Sequence, residues 1–75
     1  MTLLELEKGE KARVVSCEGG RGLSNKLNAM GIRPGKEIKK VSETFIGGPI
    51  TIKVDNTNIA IGHGMAGKIH LEVIH

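Results

Sequence analysis

Ile50-Thr51-Ile52-Lys53-Val54-Asp55-Asn56-Thr57-Asn58-Ile59-Ala60-Ile61 is the stretch on which the fold turns. Ile50, Ile52 and Val54 alternate with Thr51 and Lys53, and Ile59 and Ile61 alternate with Asn58 and Ala60. That period of two marks half-buried strands, because successive side chains point to opposite faces. Asp55-Asn56 lies between the runs and reads as a two-residue hairpin loop. Such a loop sets Val54 opposite Thr57, Ile52 opposite Ile59 and Ile50 opposite Ile61. The apolar side chains of the two strands then share one face.

Upstream, Lys36 onward is strand-like, with Ile38 and Val41 as apolar positions and a loop at Thr44-Phe45-Ile46-Gly47-Gly48-Pro49. Before it, Leu23, Leu27 and Met30 recur at i, i+4 and i+7, which places them on one stripe of a short helix. Gly31 suits the left-handed position that ends such a helix, and Pro34-Gly35 follows as a turn pair. Residues 11–17, KARVVSC, read as a strand of mixed facing, and Glu18-Gly19-Gly20-Arg21-Gly22 reads as the connection from strand to helix. At the start, Leu3, Leu4 and Leu6 form a short apolar anchor before a turn at Lys8-Gly9-Glu10. Downstream, Gly62 to Gly67 is a turn or a single helical turn. Ile69, Leu71 and Val73 then alternate with His70 and Glu72 as a last strand.

Five short strands and one helix between the first two, each strand with one apolar face, are satisfied by a mainly β sheet curled into a small SH3-like barrel. An open α+β sheet is the runner-up. Seventy-five residues suit one domain spanning 1–75, and a chain of this length buries only about 60% of its unfolded surface. Phe45 is the sole aromatic residue, so aliphatic packing must build the core. The same scarcity argues against stacking single-stranded nucleic acid and against a Pro-rich peptide groove. The basic residues, from Lys8 to Lys68, are spread along the chain and read as a solvated surface, with a net charge of +3. Cys17 is alone and no stretch is long and apolar enough to span a bilayer. With acidic residues where a signal peptide needs a basic start, the expectation is a cytoplasmic protein.

The run from Lys26 to Ile38, KLNAMGIRPGKEI, resembles the R-L-x-x-[LM]-G-[IL]-x-P-G-x-x-[IV] signature of the FeoA family. Gly47-Gly48-Pro49-Ile50 is similar to its G-D-P-[IV] loop, Ile59-Ala60-Ile61 to its I-A-[IL] strand, and Ala66, Ile69, Leu71 and Val73 to its A-x-x-I-x-V ending. Gly48 stands where the family usually has Asp, Gly62 where it often has Arg, and Met65 where it often has Glu. The resemblance implies a stand-alone SH3-like accessory of ferrous iron uptake that contacts the cytosolic GTP-binding part of the FeoB transporter. It also implies a kinship with the small barrel that ends iron-dependent repressors.

No nucleophile sits in a catalytic motif, and the chain is expected to bind rather than catalyse. His63, His70, His75 and Cys17 are dispersed, with no pair at metal-ligand spacing. Only His70 and Glu72, two apart on one strand face, suggest a weak divalent transition-metal contact. Gly19-Gly20-Arg21-Gly22 lacks the Gly-Lys-[Ser/Thr] that completes a phosphate loop. The expected partner-binding residues are Phe45 and Ile46, a large apolar pair among turn residues, with Lys26 on the exposed helix face. The competing classes are a small-barrel nucleic-acid binder and a free-standing metal-sensing domain.

Overall fold

The computed structural model describes residues 1–43 and 47–74. A 3-10 turn, Leu3–Glu5, leads into β1 (Lys11–Cys17), α1 (Gly20–Ala29), β2 (Glu37–Glu43), β3 (Ile50–Val54), β4 (Thr57–Ile61), the one-turn α2 (His63–Ala66) and β5 (Ile69–Val73). All strand pairs are antiparallel, in the order β4-β3-β2-β1-β5. The architecture is mainly β, a small SH3-like fold.

The β3–β4 hairpin has the register its sequence dictates: Val54 opposite Thr57, Ile52 opposite Ile59, Ile50 opposite Ile61. Asp55 and Asn56 have φ of 53° and 74°, the two positive values that a type I′ loop requires. Two irregularities curl the sheet. One lies between Val14 and Ser16 on β1, where Val14 is buried while adjacent Val15 is 52% exposed. The other lies between Lys40 and Ser42 on β2. A bulge of this kind inserts one residue, bends its strand and tightens the local twist. On β2 the inner face runs Ile38 then Lys40, and Val41, expected as an apolar facing position, is instead the half-buried residue at the shift, outside the core.

Among the described residues the core is aliphatic. Ala12, Val14, Ile38, Ile50, Ile52, Val54, Ile61, Ile69 and Leu71 come from the strands, closed over by Leu27 of α1, Ala66 of α2, and Leu3, Leu6 and Ile32. The N-terminal anchor also pairs with β5, since the Leu71 N–H donates to the Met1 carbonyl at 2.7 Å and Thr2 bridges His70.

The end of α1 follows from Gly31. The Gly31 N–H donates to Asn28 O and the Ile32 N–H to Leu27 O, at 3.0 and 2.9 Å. Together with φ of 85° at Gly31, these are the two reverse bonds of a Schellman motif. Ile32 and Leu27, both buried, supply the apolar contact that accompanies it. The beginning of α1 differs from expectation, because Gly20, Arg21 and Gly22 belong to the helix rather than to the connection. Left-handed φ at Gly19 (112°) and Gly20 (78°) turns the chain so sharply that the helix starts at once. Burial of Leu27, with Leu23 packed beside the core, offsets the poor helix propensity of the glycines.

Candidate partner-binding surface

Two of the three residues expected to bind a partner, Phe45 and Ile46, lie outside the described residues. The third, Lys26, is exposed on α1, flanked by exposed Asn25 and Asn28. Of the positions that depart from the family pattern, Gly48 is buried, Gly62 is exposed, and Met65 is half-buried in α2 against the core.

His70 and Glu72 sit on β5, His70 half-exposed and Glu72 exposed. A neighbour from another element joins the first: His70 Nε2 is 3.2 Å from Glu18 Oε2. No group of three or more His, Cys, Asp or Glu side chains able to hold a metal occurs among the described residues. Cys17 packs partly into the core at the end of β1, and burial pushes its thiol pKa up. That is the opposite of what a reactive thiolate needs.

Lys40 shares the inner face of β2 with Ile38, two residues before it, and finds its partners far away in the chain. It is 3% exposed, pointing inward beside Ile52, its partner on β3. Its Nζ donates to the Leu6 carbonyl at 2.6 Å and to Glu43 Oε1 at 2.8 Å. Its backbone closes the same junction, because the Gly9 N–H donates to Lys40 O and the Lys40 N–H to Glu10 O. Lys40 therefore straps the N-terminal segment to β2. Its burial is tolerated because the ammonium is paired and hydrogen-bonded.

The outer face of the sheet corrects the reading of scattered lysines. Lys11 is directly opposite Lys39, Lys39 opposite Lys53, and Lys53 opposite Asn58, so β1, β2, β3 and β4 present one continuous row. All three lysines are exposed. Lys8, in the turn before β1, joins Lys39 and Lys53 along a shallow groove that Asn58 also lines. The facing of each lysine was legible from strand alternation. Their alignment was not, since it depends on pairing between strands distant in the chain.

The FeoA domain family matches residues 1–73. The chain belongs to the FeoA family. Among its relatives, Fe(2+) transport protein A of Methanocaldococcus jannaschii is 36% identical over 66 residues, covering 88% of this chain and 78% of that protein. The crystal structure of an iron uptake regulatory protein, FeoA, superposes with a TM-score of 0.89 at 35% identity, covering 99% of this chain and 96% of the other. A zinc complex of FeoA from Stenotrophomonas maltophilia, described as a prokaryotic SH3 domain protein, matches with a TM-score of 0.81 and 25% identity, over 96% of this chain and 89% of that one. The chain has, among its described residues, no helix long and apolar enough to cross a membrane.

Proposed function

We propose that this member of the FeoA family is a non-enzymatic accessory of ferrous iron uptake that binds the cytosolic GTP-binding part of a FeoB-type transporter and modulates or assembles it. The observation that carries this reading is the family match over residues 1–73, reinforced by relatives named for Fe(2+) transport. The protein acts in the cytoplasm, at the membrane periphery through its partner. Phe45 and Ile46 are the apolar anchors of the contact and Lys26 its charged margin. Interface energy concentrates in a few large side chains, each costing about 2 kcal/mol or more when truncated. Metal plays at most a minor part in this reading. Zinc in structural sites takes four ligands, and His70 has at hand Glu18 and, along its own strand, Glu72.

The test is a titration of the transporter's cytosolic domain with wild-type protein and with Phe45→Ala combined with Ile46→Ser. The double variant is expected to lose detectable binding while melting within a few degrees of wild type. Wild-type affinity would remove that loop from the interface, and failure of the wild type itself to bind would remove the transporter as partner.

A further inference from the structure

The row Lys11–Lys39–Lys53 is unfavourable as structure. Neighbouring strands lie about 4.8 Å apart, and like charges directly opposite on one face repel. The next row shows what the same sheet does where charge is balanced: Glu72 faces Arg13 and Arg13 faces Glu37, alternating in sign across β5, β1 and β2. Across β1, β2 and β3 the lysine row shows no such alternation of sign. Among the described residues, no carboxylate lies within ion-pairing distance of Lys8, Lys11, Lys39 or Lys53. The acids nearby are held elsewhere or stand to one side. Asp55 pairs with Lys36, and Glu10 accepts the Glu7 N–H at 2.7 Å. Glu37 and Asp55 border one groove along the row, whereas Lys8, Lys39, Lys53 and Asn58 line the other with donors and no carboxylate.

The geometry points to a docking site for an acidic peptide segment of a protein partner, laid across β1 to β4 along the lysine row. The docking site does not rest on the Phe45–Ile46 contact proposed above, nor on which protein supplies the segment. The charge pattern selects the occupant. Glu37 and Asp55 border only one side of the row, so a narrow chain laid along Lys8, Lys39, Lys53 and Asn58 meets donors alone, whereas a planar anionic surface would also cover those carboxylates. A nucleic-acid strand is equally narrow, but single-strand binding draws on bases stacked upon aromatic rings, and the sequence has one ring in all. Three interstrand gaps span about 14 Å, the length of four or five extended residues at about 3.3 Å each. Lysine suits this task, because an ammonium on a flexible stem meets a carboxylate as a point charge, without a fixed fork geometry.

The experiment uses capped hexaglutamate as the probe, titrated into the full chain at low salt and followed by backbone amide shifts. Shifts are expected to cluster at Lys8, Lys11, Lys39, Lys53 and Asn58, with affinity falling about tenfold or more between 20 and 300 mM salt as the charges are screened. Lys39→Glu reverses the central charge. It is expected to weaken binding at least tenfold while leaving the melting temperature equal or higher, since Lys11 and Lys53 then face an opposite charge. Arg21→Glu makes the same change in net charge away from the row and is expected to bind as wild type. Lys53→Gln, which carries no new charge, is expected to weaken binding about threefold or more and guards against a misfolded reversal variant. Several outcomes would overturn the proposal. These are hexaglutamate shifts that are absent or scattered, wild-type affinity in Lys39→Glu, or an equal loss in Arg21→Glu. Tighter binding of a charge-matched oligothymidine, or of vesicles with 30% phosphatidylglycerol, would reject the peptide as occupant.

Discussion

Replacing Lys40 with Met tests whether one buried ammonium holds the N-terminal segment on the barrel. Met keeps most of the stem that packs beside Ile52 and removes the bonds to Leu6 O and Glu43 Oε1. Glu43, at 34% side-chain exposure, turns to water at little cost. The Leu6 carbonyl belongs to a residue that is 1% exposed, and leaving it unpaired costs about 1–3 kcal/mol. Loss of the ammonium's own desolvation penalty works in the other direction and holds the net effect near the middle of that range. Lys40→Met is therefore expected to destabilise by about 2 kcal/mol, a fall of roughly 8–16 °C in Tm for a domain of this size. Lys40→Ala also removes the buried stem and leaves a cavity, adding about 2 kcal/mol or more. With no Trp or Tyr in the chain, far-UV circular dichroism in urea is the suitable assay. A slope of about 1 kcal/mol per molar puts the Lys40→Met midpoint about 2 M below wild type. A Lys40→Met protein within about 0.5 kcal/mol of wild type would refute the strap, and the buried lysine would then be a tolerated stem rather than a tie.

Gly31→Val is expected to cost about 2–3 kcal/mol, because a β-branched residue must adopt φ near 85° at the Schellman position and its Cβ would also touch Val54 at 3.4 Å; an unchanged melt would mean that the helix end reorganises freely. Cys17 is expected to alkylate with iodoacetamide several-fold more slowly than a free thiol at pH 8, since burial favours its protonated form, and to recover normal reactivity in urea. The sign for stability follows: a thiol harder to ionise when folded makes unfolding release a proton, so stability declines as pH rises above the ordinary thiol range of about 8.5. A Cys17→Ser variant should lose that decline, and urea melts of both proteins from pH 7 to 10 would show whether it does.

The features that were legible in the amino-acid sequence are those governed by neighbours along the chain. The Asp55-Asn56 loop sets the β3–β4 register by itself, because two residues leave the hairpin no alternative pairing that keeps Ile52 against Ile59. Leu27, Met30 and Gly31 place the end of α1 through bonds that span five residues or fewer. The glycines at 19–22 misled, since glycine reads as loop by propensity and only the packing of Leu23 and Leu27 against strands far away draws Gly20–Gly22 into the helix. Lys40 looked like any strand lysine. Alternation from Ile38 turns it inward, but its burial depends on Leu6, 34 residues earlier, offering a carbonyl at the inner face just ahead of the bulge between Lys40 and Ser42. The lysine row is the same kind of fact: alternation along each strand says which way Lys11, Lys39 and Lys53 face, but only pairing between separated strands brings them into line. Local backbone chemistry is encoded within a few residues, whereas charge juxtaposition is a property of register. Register between distant strands is decided when the whole barrel buries its core.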